Sequence, residues 1–333
     1  MRIVVRFLLI MAALLGGVAA WAWAPDLPVA DLAPTWAPPP SRLIPIEGMQ
    51  VHVRDEGPRD DSLPLLLIHG TSSSLHTWDG WAAPLRATRR VIRLDTPGFG
   101  LTGPFAQGGY DDAHYHAVLA TLLDTLRVRR AVLVGNSMGG ELGWTFAVTH
   151  PDRVAGLVLV DAAGLPRTSI SIPIGFRLAR LGLGPVLEYV LPRALVTSSV
   201  RNTYGEPSRV TDATVDRYIA ITRRAGNRRA LPLRFAASAD TSFAPRVREV
   251  RVPTLIVWGL RDRLIPPDHA EKFHAEIAGS TVATFDDLGH VPMEEAPERT
   301  LVPVVAFLDR HFPRVAATTA TTATPATPAP TTP

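Results

Sequence analysis

Cysteine is absent from this chain. That excludes disulfide staples, a thiolate nucleophile and any cysteine-held metal. It leaves the compartment open, because 333 residues can bury a full core without cross-links. An excess of charge of one sign is also lacking. A formal net charge of +3 gives no footing for a nucleic-acid partner. No internal repeat is evident, which sets aside solenoids and propellers. What remains is an ordinary globular composition, 46% hydrophobic and 20% charged, with a greasier N-terminal stretch.

That stretch reads as a targeting element. Arg2 and Arg6 precede 19 uncharged residues, 7–25, that are mostly Leu, Ala, Val and Gly. As a helix such a run would be about 28 Å long, close to the hydrocarbon thickness of a bilayer. The arginines on its N-terminal side predict a cytoplasmic N-terminus, and Trp21 and Trp23 fall where an interfacial aromatic belt would lie. The expectation is a membrane anchor within residues 1–24, contacting the membrane through residues 7–25, with the remainder on the periplasmic or extracytoplasmic side. The alternative is a cleaved signal, since Ala22-Trp23-Ala24 has the small-x-small form, and then a secreted protein. Residues 25–45 hold seven prolines and read as an extended tether. The tail, 314–333, contains only Ala, Thr and Pro from Ala316 onward and is expected to be disordered.

Between these ends, short apolar runs alternate with helical patterns, which predicts an α/β fold with a mostly parallel, doubly wound sheet. Strands are expected at Val51–Val53, Leu63–Ile68, Val91–Leu94, Ala131–Val134, Leu157–Val160, Thr254–Trp258 and Thr281–Phe285. Helices are expected at Ala113–Leu126, Met138–His150, near 268–278 and near 297–311. The rhythm breaks after the strand ending near Asp161. Residues 165–249 read as a helical cap over the C-terminal edge of the sheet, where α/β sheets bind ligands. The core is then 46–164 with 250–313. The cap holds 14 Arg and no Lys against six acidic residues. It is read as a solvated surface, with contact to anionic headgroups or a substrate carboxylate as the alternatives.

Gly135-Asn136-Ser137-Met138-Gly139 follows an apolar strand and precedes a helix, the required setting of a nucleophile elbow. A serine on so tight a turn needs small flanking residues, and the N–H of Met138 at the helix start faces developing negative charge. The hydroxyl needs a base. Of ten histidines, His290 sits in a loop after the last strand, in Asp286-Asp287-Leu288-Gly289-His290. His69 belongs to the turn His69-Gly70-Thr71, while His114, His116, His150, His269, His274 and His311 lie in helical stretches. A carboxylate must then orient the imidazole. Asp262, just past the strand Thr254–Trp258, is preferred; Asp161 is the rival, and Asp286 and Asp287 are too near His290 in the chain.

From about residue 42 to 312 the chain resembles the α/β-hydrolase superfamily with a helical cap. The resemblance rests on His69-Gly70-Thr71, Asp95-Thr96-Pro97-Gly98-Phe99-Gly100, Gly135–Gly140, Gly259–Pro266 and Gly289-His290. It implies that the oxyanion donors are the backbone N–H groups of Thr71 and Met138. Similar epoxide hydrolases and haloalkane dehalogenases use Asp where this chain has Ser137. The elbow looks like that of carbon–carbon hydrolases acting on ring-cleavage products. Those usually have Trp after the catalytic His, here Val291, and a glycine-rich turn where this chain has Thr71-Ser72-Ser73-Ser74. The expected activity is hydrolysis of small-molecule carboxylic esters through an acyl-enzyme. Carbon–carbon hydrolysis and cofactor-free haloperoxidase or perhydrolase chemistry are the alternatives. No metal or organic cofactor is implied, and the complete set of reactive residues argues against a non-enzymatic binding module.

Overall fold

The computed structural model describes residues 2–166, 188–238 and 241–313, with positions 174, 177 and 181. The tail expected to be disordered, 314–333, and much of the first half of the cap lie outside the described residues. One eight-stranded sheet is formed by β1 (Arg42–Ile46), β2 (Met49–Glu56), β3 (Leu65–Ile68), β4 (Val91–Leu94), β5 (Ala131–Asn136), β6 (Val154–Val160), β7 (Thr254–Gly259) and β8 (Thr281–Phe285). Its spatial order is β1-β2-β4-β3-β5-β6-β7-β8. β2 is antiparallel to both β1 and β4, and every other neighbouring pair is parallel. The chain moves from β3 outward to β4 and then back to β5 on β3's other side. This reversal opens a crevice beyond the carboxyl ends of β3 and β5.

The helices are α1 (Arg2–Ala22), α2 (Val29–Trp36), α3 (Asp79–Leu85), α4 (Asp112–Thr125), α5 (Met138–Thr149), α6 (Arg193–Thr203), α7 (Asp212–Thr222), α8 (Asn227–Ala237), α9 (Asp268–Glu276), α10 (Pro292–Glu295) and α11 (Pro297–His311). Alternate strand residues point to opposite faces. Leu66, Ile68 and Leu133 pack with Leu122 of α4, Leu142 of α5 and Phe273 of α9. Leu65, Leu67 and Val132 pack with Trp81 of α3 and Val304 of α11. Both faces being covered explains why β3, β6 and residues 131–134 of β5 are unbroken apolar runs rather than alternating ones.

Residues 25–45 differ from the extended tether expected of them. They form α2 and β1, and they dock on the cap. The Leu27 N–H donates to Arg223 O (2.6 Å), the Ala225 N–H donates to Leu27 O (2.9 Å), and Arg223 Nε donates to Pro25 O (3.1 Å). Asp26 accepts from the Gly226 N–H (3.0 Å) and pairs with Arg228, whose side chain is buried. The fixed φ of proline suits a helix start and an edge strand as well as polyproline II, so cap donors for its carbonyls decide the outcome. Pro28 caps α2, whose Leu32 is buried, and Pro45 lies in the edge strand β1.

The anchor expected over residues 7–25 is not supported as a spanning element: among the described residues no helix is long and apolar enough to cross a membrane. Ala22 and Ala24 are buried, Leu191 N–H donates to Ala22 O (3.0 Å) and Ala24 N–H donates to Tyr189 O (2.8 Å), so the run ends packed against protein. The described apolar side chains from Ile3 to Met11 are exposed.

Candidate active site

Ser137 joins β5 to α5 at φ +55° and ψ −119°, a backbone that costs a non-glycine residue about 1–3 kcal/mol. Its surroundings enforce the turn. Ser137 N–H donates to Val160 O (3.0 Å), and its carbonyl accepts from Glu141 (3.1 Å) and Ala163 (2.9 Å) N–H groups. The flanking glycines are a packing requirement: a Cβ on Gly135 would stand 2.1 Å from Gly139 O, and one on Gly139 2.0 Å from Ile68 O. Ser137 keeps partial exposure between the buried Asn136 and Met138. Met138 opens α5, where the first N–H groups have no intrahelical acceptor.

The turn after β3 lies against this elbow, since a Cβ on Gly70 would be 3.0 Å from Ser137 Cβ. Buried His69 accepts the Thr96 N–H at Nε2 (3.0 Å), so its proton sits on Nδ1, which donates to Gly70 O (2.7 Å). Burial pushes His69 below its ordinary pKa, in keeping with a neutral ring. In a trans peptide the C=O and N–H point opposite ways. Holding Gly70 O against His69 therefore turns the Thr71 N–H away from that ring. Beside the turn, Ser72, Ser73, Phe99, Ile221, Asn227 and Leu231 line a cavity of about 30 Å³ under the cap.

His290 is buried in the loop after β8, and its Nδ1 lies 2.7 Å from Asp262 Oδ2. Asp262 is fixed in turn by the N–H groups of Leu264 (2.7 Å) and Ile265 (3.1 Å) on Oδ1. The rival, Asp161, is fully buried at the end of β6 and accepts the Gly259 N–H (3.0 Å). Asp286 and Asp287 make no bond to the imidazole; Asp287 pairs with Arg209 and Arg299. The histidine loop reaches the elbow through Asn136, whose Nδ2 donates to His290 O (2.9 Å) and Val160 O (3.1 Å). The Ser137 hydroxyl has no hydrogen-bond partner among the described residues. In unliganded enzymes this contact is commonly long and tightens with substrate.

Asp161, Asp262 and His290 offer ligand atoms within 4.8 Å of one another, the pattern of a small metal site. The 2.7 Å Nδ1–Oδ2 separation fits a hydrogen bond instead. Two ligands at about 2.0–2.1 Å around one tetrahedral cation would stand farther apart.

Two residues absent from the sequence reading carry the architecture. Glu295 accepts the N–H groups of Gly205, Glu206 and Gly289 (each 2.9 Å), tying the cap to the histidine loop. Glu294 accepts from Tyr204 (2.8 Å) and Thr77 (2.6 Å) and pairs with Arg217 (2.7 Å). The signal was their position, four and five residues past His290, but nothing local reveals their partners on α3's approach and the cap. The cap arginines are also less free than a solvated surface implies. Arg209, Arg217, Arg228 and Arg234 all pair with acids outside the cap.

Residues 64–297 match the sequence profile of the alpha/beta hydrolase fold family. The chain is 30% identical over 276 residues to the 2-hydroxy-6-oxononadienedioate/2-hydroxy-6-oxononatrienedioate hydrolase of Escherichia coli O81 (strain ED1a), covering 79% of this chain and 92% of that one. It is 32% identical over 259 residues to the dihydrolipoyllysine-residue acetyltransferase component of the acetoin cleaving system of Pseudomonas putida. That match covers 74% of this chain but only 64% of the relative's length. Among solved structures, a membrane phospholipase A described as a bacterial virulence factor superposes with a TM-score of 0.67 at 26% identity, covering 93% of this chain and 99% of that one. The chain belongs to the alpha/beta hydrolase fold family, and it is a hydrolase of that family's esterase and carbon–carbon hydrolase branch.

Proposed function

We propose that the protein hydrolyses small-molecule carboxylic esters through an acyl-enzyme on Ser137, with His290 as general base and Asp262 as the orienting acid. The observation that carries this reading is a serine held in a left-handed turn next to Asn136, whose side chain binds the carbonyl of His290, a histidine whose Nδ1 is occupied by a buried carboxylate. With its proton on Nδ1, His290 has Nε2 free to take the Ser137 proton. The hydroxyl attacks the acyl carbon, and the oxyanion is met by the N–H groups of Thr71 and Met138. His290 then protonates the leaving alcohol, and water activated by the same ring releases the acid. Replacing Ser137 with Ala should abolish p-nitrophenyl ester turnover and labelling by a fluorophosphonate probe. Unchanged turnover overturns the assignment.

A second reading, carbon–carbon hydrolysis of a ring-fission product, is favoured by the identity to the Escherichia coli hydrolase. Val291 and the Ser72–Ser74 turn depart from that pattern. Assaying a ring-fission dienoate beside short and long acyl esters separates the two.

The same reading puts the catalytic domain outside the cytoplasm, held at the membrane by the leading apolar segment or released from it by cleavage. Support comes from Arg2 and Arg6 ahead of that segment and from exposed Ile3, Phe7, Leu8 and Leu9. The likeness to a membrane phospholipase A also extends over more of the chain than residues 46–313 alone could supply. Protease accessibility in cells stripped of any outer envelope, before and after lysis of the cytoplasmic membrane, tests it: a domain protected until that membrane is broken is cytoplasmic.

A further inference from the structure

We propose that Asp161 is a positioning residue that keeps a proton and donates it, through Oδ2, to the Asp262 carboxylate, so that one negative charge rather than two stands behind His290. The proposal rests on the roles given to Asp262 and His290 above.

The hydrogen-bond inventory carries it. Asp161 is fully buried and sits at φ +44°. Its Oδ1 accepts the Gly259 N–H (3.0 Å), while Oδ2 is buried with no donor among the described residues. Asp262 is its side-chain hydrogen-bond neighbour, and ligand atoms of Asp161, Asp262 and His290 all fall within 4.8 Å. Asp262 is occupied on both oxygens, by Leu264 and Ile265 on one and His290 on the other. The donors nearest Asp262 are thus already spent on it, while Oδ2 of Asp161, in the same cluster, has none.

Charge gives the same answer. The ionisable groups facing Asp161 are Asp262 past β7, His290 past β8 and Glu295 on α10, and no Arg or Lys forms an ion pair with it among the described residues. An ionised Asp161 would be an unpaired buried charge against a second carboxylate, the arrangement interiors avoid by protonation. Burial first, and Asp262 second, push its carboxyl well above the ordinary range. A proton on Oδ2 resolves both problems: the orphaned oxygen becomes a donor and Asp262 gains a fourth hydrogen bond. That bond keeps Oδ2 of Asp262 on the imidazole. Parallel pairing of β6 and β7 places the two acids side by side at the strand ends.

The test uses the full-length protein with D161N and D161L. A difference infrared spectrum of wild type minus D161N, taken near neutral pH, should contain a protonated-carboxyl C=O band. For D161N the acid limb of the kcat/KM profile should stay within about 0.3 pH unit of wild type, because a neutral donor replaces a neutral donor. D161L removes the donor and should lower kcat/KM about 10- to 100-fold, with D161N recovering most of that loss. Absence of the infrared band overturns the proposal, as does an acid limb lowered by about a unit or more in D161N, the effect of deleting a nearby negative charge. Equal losses in D161N and D161L would reduce Asp161 to a packing role and also overturn it. The band is read on resting protein, so it remains decisive if D161L fails to fold. It also remains so if S137A retains turnover, in which case the catalytic reading alone falls.

Discussion

Asp262→Asn changes one atom and should nearly silence the enzyme. The two N–H groups of Leu264 and Ile265, at 2.7 and 3.1 Å, hold the Oδ1 side of residue 262 and need an oxygen there. Turning the new amide around would set its NH₂ against both donors, at a cost of about 1–3 kcal/mol for each unsatisfied group. Leaving the oxygen in place costs only a tautomer change in His290, so that orientation wins. The NH₂ then faces Nδ1 at the 2.7 Å contact now made by Oδ2. Nδ1 must become an acceptor, the ring proton moves to Nε2, and the nitrogen needed to deprotonate Ser137 is blocked. Wrong-tautomer variants of such triads lose about 10⁴-fold in kcat, equivalent to about 5.5 kcal/mol. The assay is steady-state p-nitrophenyl ester hydrolysis, with kcat and KM separated and folding checked by thermal melting. The expected result is a collapse of kcat with KM nearly unchanged. Retention of more than about 1% of wild-type kcat would refute the reasoning. If activity then vanished in the D161N/D262N double variant, Asp161 would be supplying the orienting carboxylate.

Two further outcomes follow from the scaffold. Asp95 accepts from Leu75 N–H, Leu101 N–H and His52 Nδ1, each at 2.7 Å, and so joins the turns after β3 and β4. Burial opposes its charge, but the neighbouring histidines, His52 foremost, outweigh this and hold the carboxyl well below its usual range. A depressed folded-state pKa contributes stability that is present above the unfolded value, about 3.9, and is lost as pH falls through the folded one. D95N should cost about 3–5 kcal/mol in urea melts at pH 7 and remove this acid-side dependence. A loss under about 1 kcal/mol contradicts it. Asp26→Ala should remove the acid paired with the buried Arg228 and loosen residues 22–28 from the cap. Because Asp26 is itself partly exposed, the expected loss is about 1–2 kcal/mol, or a Tm drop of about 2–8 °C, with faster proteolysis ahead of α2. An unaltered Tm and cleavage rate would mean that the docked segment contributes nothing.

Much of the scaffold could be read locally. Val91–Leu94 and Thr281–Phe285 are strands over the bounds expected, because short apolar runs bounded by turn residues have few other uses. The serine turn was legible for a stronger reason, since Gly135 and Gly139 leave no room for any other side chain. The fate of the proline-rich stretch is not legible locally, because proline restricts φ without choosing between tether and docked helix. The choice fell to donors at Arg223 and Ala225, about 200 residues away.

By itself the sequence determined most of the core strands and their flanking helices from residue 49 onward, the elbow and the small set of groups able to act there, since these depend on side-chain volume, spacing and acid–base type within short windows. Tertiary structure alone decided which aspartate meets His290, what Glu294 and Glu295 hold together, and that Asp161 stands unpaired beside Asp262. Those outcomes depend on parallel strands bringing distant loop ends to one edge of the sheet. Hydrogen-bond partners there are assigned by register and burial, which no local pattern encodes.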